Sequence, residues 1–472
     1  MKKILAVFVC CLLLLSTLLS VGCVTTPRTY DDTVPDSLEL DKDYACELQL
    51  AYRNDPAEKE LIDRIIEGFN AIYKNIKIKT VPLSNYETQI IGDFAANNLY
   101  DVFWVADNSA SSFAAEGMLL DLRPYVEKSE MNLEDYYPTM IDLCYRDHDP
   151  EKELIMLPRD FSNMVVFINE DRFADAGVPV PTDYDWTWDD MMDIVEQLTK
   201  GLKQYNADND TLYWALDANF EWTILFYSLL KSFGGEDATL LDENCYSAWG
   251  NEEEPGPSYQ AAYDTLTELK KLFDMEALPR PLKNLNGTMF ETNKAAMFFM
   301  SRPHLTTIRT LPMHLSVLPF PLTGSNPSTG SGTTGYGISR GTKEKAASWA
   351  LLEYMMSREG QEVFSQSGGV VPVLKELAED PNAEWRKVTD YYGKIVDPEA
   401  FLYNADHAIV NDYYDHVPAD YQMGINGIFC SAVNAVYSDV FTAEGGVEVV
   451  VPVKWNPIGN TPQSYRYAVT VS

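Results

Sequence analysis

The chain is poor in cations, histidines and cysteines for its length. Lys and Arg number 36 against 71 Asp and Glu, a net charge of −35 over 472 residues. Nucleic-acid affinity rests on Lys and Arg contacts to phosphate, so this excess of acid excludes a nucleic-acid partner. Docking on anionic lipid by charge alone is excluded on the same ground. Five histidines, no HExxH and no glycine-rich phosphate loop leave neither a zinc-protease nor a P-loop signature. The seven cysteines include no CxxC pair. Beyond Cys23 only Cys46, Cys144, Cys245 and Cys430 remain, too scattered for a zinc framework, and disulfide pairing among them stays open. No cofactor and no resident metal are implied. Internal repeats are absent, and no second apolar run of membrane-spanning length follows the first.

That first run, 4–22, follows Lys2 and Lys3 and ends at Ser20-Val21-Gly22-Cys23. A basic start, an apolar stretch and small residues before a cysteine resemble a bacterial lipoprotein signal, although Ser20 stands where leucine is usual and Leu19 lies one place further out. The resemblance implies removal of 1–22 and lipidation of Cys23. Each buried acyl methylene would contribute ~0.8 kcal/mol to anchoring. An uncleaved anchor helix is the alternative, and both place the rest of the chain outside the cytoplasmic membrane. Residues 23–45, with two prolines, many acids and no apolar periodicity, read as a flexible tether.

The remaining 46–472 is too long for one core, so two lobes are expected. Leu48, Leu50 and Tyr52 alternate as in a half-buried strand. Asp55-Pro56 then forms an N-cap with proline at the first helical position. Leu61, Ile62, Ile65, Ile66, Phe69 and Tyr73 make a helical stripe, Ile76, Ile78 and Val81 a strand, and Tyr86, Ile90, Ile91 and Phe94 a helix. YDVFWV (100–105) reads as a parallel strand covered on both faces. The order β-α-β-α-β predicts an open α/β sheet with ligand sites at the carboxyl ends of its strands. Further strands are expected at 153–158, 163–169, 294–300 and 315–321. Helices are expected at 170–176, 187–198, 222–232, 259–275 and 343–356. A Gly/Ser/Thr loop, TGSNPSTGSGTTG (323–335), leads into GYGIS.

Seven stretches in order resemble the extracellular solute-binding proteins of ABC importers, of the maltodextrin- and sugar-binding type. They are the opening β-α-β, DVFWVAD (101–107), LLDLRPYVEK (119–128), LPRDFSNMVVFINEDRFADAGVPVP (157–181), WTWDD, NKAAMFFM and GYGIS through GGVVPV (335–373). The C-terminal 447–472 departs from the charged helix usual there. The resemblance implies a two-lobe periplasmic-binding-protein-like (type II) α/β fold with an interlobe hinge and a ligand cleft. It maps one lobe to 46–158 plus 302–338 and the other to 159–301 plus 339–472. Crossovers fall near 158–162, 300–302 and 335–340. It further implies a monomeric receptor, lipid-anchored on the outer face of the cell membrane, that hands a carbohydrate to a membrane permease and performs no chemistry.

A sugar offers apolar faces to aromatic rings and a rim of hydroxyls to polar side chains. The strand ends supply such groups at Tyr52, Arg53 and Asn54, at Trp104, Asp107 and Asn108, and at Arg159, Asp160 and Phe161. Glu221 and Trp222, Arg302 with His304, and Tyr336 complete the candidates. The resemblance points most directly at Trp104, Asp107, Glu221 and Trp222, and less directly at Arg302 and Asn426. Trp186 and Trp188 flank a capping pattern at Thr187 and read as packing at a helix start. Tyr413, Tyr414 and Tyr421 could extend a cleft or pack on the surface.

Two rival signals are weaker. NADND (206–210) has calcium-loop spacing at three positions, but Thr211 replaces the required glycine, and a solvated acidic turn is the better reading. Gly337-Ile338-Ser339-Arg340-Gly341 matches G-x-S-x-G, with Asp406-His407 and Asp415-His416 downstream. No HGGG-like oxyanion stretch accompanies it, and the helix is expected to begin later, near Thr342. A carbohydrate-active hydrolase stays open, since paired carboxylates leave no sequence signature, as does a binder of peptide or polyamine.

Overall fold

Strand β5, Ser162–Asn169, shows how the sequence builds the interior. Its side chains alternate between two apolar clusters. Met164, Val166 and Ile168 enter one, Val165 and Phe167 the other. A strand buried on both faces must be apolar at consecutive positions, and NMVVFI is. A computed structural model describes 29–241, 248, 255–279, 288–403, 405–410, 430 and 433. The chain divides into a short N-terminal unit, Met1–Thr33, and a main unit, Val34–Ser472. In the first, Thr33 N–H donates to Asp31 Oδ1 at 3.0 Å. Everything below concerns the second. Cys23, where lipidation is expected from the sequence, lies outside the described residues, as do Cys245, Asn426 and the 413–421 tyrosines.

The main unit holds two sheets. In the first, β1 (Cys46–Arg53) lies between β2 (Ile76–Leu83) and β3 (Val102–Ala106), parallel to both. β10 (Thr334–Ile338) follows, antiparallel to β3 and to the short β4 (Leu157–Pro158). The second has the order β11 (Ala408–Ile409), β9 (Thr329–Gly332), β5, β7 (Ala295–Ser301), β6 (Trp214–Asp217), and β8 (Leu315–Pro319) also pairs with β5. This is the two-lobe α/β solute-binding fold expected from the sequence.

Local signals account for the elements. Helix Pro56–Ile72 starts at the proline, with Glu58 N–H donating to Asp55 Oδ1 at 3.1 Å. Gly177, at φ 68°, closes helix Glu170–Ala176 in the left-handed cap that glycine favours. Thr187 and Asp190 form a reciprocal capping box on helix Trp188–Asn209, and Trp186 and Trp188 are buried beside it, as packing residues. That helix ends in the NADND stretch. Asn206 Oδ1 accepts from Tyr213 N–H (2.9 Å) and from the Thr211 hydroxyl (3.0 Å), so the turn is held by its own hydrogen bonds.

Three expectations need correction. β8 pairs along β5, so 302–338 does not belong wholly to the first lobe and the chain does not change sheets near 300–302. It changes sheets between β4 and β5, and again at Thr333 between β9 and β10. Helices Lys345–Met356 and Arg358–Ser365 pack on helix Pro56–Ile72 of the first sheet's layer, not in the second lobe. They follow β10 directly, and a short connection keeps neighbours in sequence adjacent in space. The tether is not free along its whole length either. Val34, Leu38 and Leu40 pack against the first core, and Lys128 Nζ donates to Pro35 O at 2.8 Å.

Gly335 marks where β10 passes β4. A Cβ there would lie 2.0 Å from the Leu157 carbonyl oxygen, and backbone cannot yield as a side-chain tip does. Gly335→Ala is therefore expected to lower stability by about 1–3 kcal/mol, read as a fall in the urea unfolding midpoint. An unchanged midpoint would show that the crossing tolerates extra width.

Candidate functional site

The ends of β1, β2 and β3 and the two sheet-crossing segments converge on a cavity of about 880 Å³, in the upper part of the ~300–1,000 Å³ range of small-molecule sites. Arg53, Asn54, Ser84, Trp104, Asp107 and Asn108 form the wall on the first sheet's side. Trp222, Ile224, Ser301, Pro303, His304, Thr306 and Thr307 face them from the second sheet's side, with 330–334, Ser367, Gly369 and Val370 completing the lining.

Each aromatic wall residue has a local reason for its place. Trp104 is only 5% exposed. The Tyr86 hydroxyl donates to its carbonyl oxygen at 2.6 Å, and the two rings meet edge to face at 5.2 Å. The Arg53 guanidinium lies 5.2 Å from the Trp104 ring centroid. Trp222 is half-buried at the N-cap of helix Thr223–Gly234, partly against the second core.

The floor is ionic. Arg159 Nη1 meets Glu58 Oε2 at 2.5 Å, and its Nη2 meets Asp160 Oδ2 at 2.7 Å. The Tyr336 hydroxyl donates to Glu58 Oε1 at 2.7 Å. Burial works against the Arg159 charge, but Glu58 and Asp160 outweigh it and hold the guanidinium above its ordinary pKa. Asp160 also accepts the Thr334 N–H at 2.8 Å. Asp107, opening helix Asp107–Ala115, accepts the Thr333 N–H at 3.1 Å. Two carboxylates thus grip the segment where the chain changes sheets.

Burial raises the Asp107 carboxyl from 3.8 to about 6, the N–H groups of Thr333 and Asn108 only partly offsetting it. The folded state therefore binds this proton more tightly than the unfolded chain. The stability it contributes is full below the ordinary carboxylate range and is lost as pH rises through about 6. Asp107→Asn is expected to remove this component, worth up to about 3 kcal/mol between pH 4 and 7. Urea unfolding of both proteins at pH 4, 5, 6 and 7 measures it, and parallel profiles would contradict the assignment.

Of the candidates read from sequence, Arg53, Asn54, Trp104, Asp107, Asn108, Arg159, Asp160 and Trp222 reach the cavity, as does His304. Five do not. Tyr52 alternates with Arg53 along β1 and is buried in the first core. Phe161 is buried, stacked on Tyr137 at 5.3 Å. The Tyr336 side chain reaches Glu58 beneath the floor. Glu221 is not among the cavity-lining residues, and its backbone N–H donates to Asn219 Oδ1 at 3.1 Å. Arg302 is 1% exposed and lies between the Trp385 and Phe401 rings (4.7 and 4.5 Å). It donates to the carbonyls of Gly368 (2.9 Å) and Trp385 (2.6 Å). Burial lowers its pKa to about 9. It props the 367–370 wall from behind.

Sequence reading missed Glu58, Ser84, Ser162 and the 330–334 wall. Glu58 was findable, because it occupies the first helical turn after a strand end. The others are small residues with no chemical signature. Ser339 of the G-x-S-x-G stretch is 3% exposed, its Oγ accepting the Gly341 N–H at 3.2 Å. The next helix begins at Lys345, six positions late for a nucleophile elbow. No group of three or more His, Cys, Asp or Glu among the described residues could hold a metal ion.

The family model for bacterial extracellular solute-binding proteins matches residues 54–362, more than half of the chain and all of the cavity wall except Arg53 and 367–370. The chain belongs to this family. Solved structures of low identity share the fold. An ABC substrate-binding protein of Listeria monocytogenes, in complex with cycloalternan, is 19% identical, with 84% of this chain and 95% of that chain covered and a TM-score of 0.66. The GacH receptor of Streptomyces glaucescens, solved unliganded and with acarbose, is 16% identical, covers 84% and 94%, and scores 0.64. A sugar transporter protein of Rhizobium etli, in an open conformation, is 19% identical, covers 85% and 96%, and scores 0.66. Among curated proteins, none matches this solute-binding chain in sequence.

Proposed function

We propose that this solute-binding protein captures a carbohydrate, in particular an oligosaccharide, between its two lobes and passes it unaltered to an ABC-type permease. One observation carries the reading. The cavity has an aromatic residue on each wall, Trp104 and Trp222, and a polar rim from both sheets, which is what a disc with apolar faces and a hydroxyl edge needs. The ligands in the solved relatives, cycloalternan and acarbose, support the same class.

Closure needs the lobes to approach while the crossing segments bend. We place the pivots at 158–162 and at Thr333, where Asp107 accepts the Thr333 N–H and Asp160 accepts the N–H and hydroxyl of Thr334. Only the closed state lets both walls touch the solute, so the solute favours that state by its differential contacts. The cell-surface location, the anchor at Cys23 and the monomeric state belong to this proposal, and the lipoprotein-like signal at 1–23 supports them.

Thermal unfolding against a panel of oligosaccharides, with product analysis of the same mixtures, tests it. A ligand at 100 times its dissociation constant adds about 2.7 kcal/mol of stability. Saturable stabilisation with every glycan recovered intact is expected. Release of monosaccharide or new reducing ends would instead identify a hydrolase. Stabilisation by peptides or polyamines alone would identify another solute class.

A further inference from the structure

Among the described residues, Arg302 is a buried guanidinium without a counter-charge. Arg159 is held by Glu58 and Asp160, Arg172 by Asp175 at 3.0 Å, and Arg386 by Glu399. Arg302 is buried more deeply than any of these, at 1% exposed, yet no described carboxylate pairs with it. The one other charge that acts on it, Arg386, is also positive. At pH 7 the group stays charged, since burial lowers its pKa only to about 9. Nε and Nη2 donate to the neutral carbonyls of Gly368 and Trp385. Nη1 is buried, and no protein group accepts from it.

A second unpartnered group lies alongside. Asn163 is 2% exposed, and neither its Oδ1 nor its Nδ2 has a partner in the protein. Met164 of β5 pairs with Ser301 of β7, and the antiparallel register runs on to Asn163 and Arg302. Phe161 pairs with Val371, which brings the segment after Gly368 along the same crossing. Met164 and Ser301 line the cavity, so by strand alternation Asn163 and Arg302 point to the opposite face. There the Phe401 ring lies both against the guanidinium, at 4.5 Å, and beside Phe167 of β5, at 6.1 Å. A buried cation without a counter-charge is costly, and so is a buried amide left unbonded. The Trp385 and Phe401 faces offset part of the first cost. Water would satisfy the amide and leave the charge. A small anion answers both, accepting from Arg302 Nη1 and from Asn163 Nδ2, while Nη1 keeps a second hydrogen for Asn163 Oδ1. The acid excess of the chain acts against any anion at long range, but salt screens it beyond about 8 Å.

We propose that Arg302 and Asn163 form a buried site for one small monovalent anion, of the size and charge of chloride. The site stands behind Pro303, Thr306 and Gly369 of the cleft wall, so the anion steadies that wall without touching the solute. Two measurements on the full chain test it. One is urea unfolding at pH 7 with chloride exchanged stepwise for gluconate at constant ionic strength. The other is diffraction from crystals soaked in bromide. The unfolding midpoint should rise with chloride and saturate, and the anomalous signal of bromide should lie in contact with Arg302 Nη1 and Asn163 Nδ2. Asn163→Asp sets a fixed carboxylate beside the guanidinium, and its midpoint should no longer respond to chloride. A wild-type midpoint indifferent to chloride overturns the proposal, as does an undiminished response in Asn163→Asp. A bromide map without a peak at this place overturns it as well. A peak with no chloride effect on unfolding marks an adventitious ion only, which is equally fatal. The wild-type titration and the bromide map decide the matter even if the variant fails to fold.

Discussion

Arg159→Met is expected to lower the free energy of unfolding by about 3–5 kcal/mol, the typical consequence of removing one partner from a buried ion pair. The guanidinium, Glu58 and Asp160 side chains are 12%, 13% and 7% exposed, so water does not replace the lost partner. Two carboxylates would be left close together, Glu58 retaining the Tyr336 hydroxyl and Asp160 the N–H and hydroxyl of Thr334 as neutral donors. Because Arg159 sits where the chain passes between the sheets, the loss should also loosen the crossing at Thr334. Urea unfolding of the variant measures the effect. Adding Glu58→Gln should recover part of it, since one of the stranded charges is then gone. A loss below about 1 kcal/mol would mean that the network contributes nothing net.

Trp222→Ala is expected to weaken oligosaccharide binding about thirtyfold, roughly 2 kcal/mol, as for an aromatic hot spot in a desolvated pocket. Its effect on folding should stay near 1 kcal/mol or less, because the ring is half-buried and only partly packed on the second core. Trp104 is the poorer probe, for it holds the first core as well as the wall. Titration with the best ligand of the glycan panel, beside urea unfolding, separates the two effects. A large fall in stability with unchanged affinity would make Trp222 a packing residue.

Much of this was legible in the amino-acid sequence because the signals were local. Apolar alternation marked β1, and a continuous apolar run marked β3 and β5. Proline and Thr187 marked helix starts, and Gly177 a helix stop. The site was legible where a polar or aromatic residue followed a strand, as at Arg53, Asn54, Trp104 and Asp107. It was illegible where the neighbour came from far along the chain. Nothing in Thr329–Gly332 marks it as a strand, since glycine and serine there serve close approach. A Cβ on Gly330 would lie 2.7 Å from Ser228 Oγ. Tyr336 and Arg302 stand beside wall residues, yet one lies under the floor and the other behind the wall. Strand alternation and burial decide such cases, and they depend on partners the sequence does not name. The lobe boundaries missed for the same reason, as β8 gives no local sign of which sheet will accept it.

The most direct test of the central claim is hydrogen exchange of the full chain with and without a bound oligosaccharide. Protection is expected at once in 53–58 and 104–108 of the first wall, in the crossings at 159–164 and 330–334, and in 222–226 and 301–307 of the second. Protection confined to one wall, or lying outside all of these segments, would contradict a solute held between the two sheets.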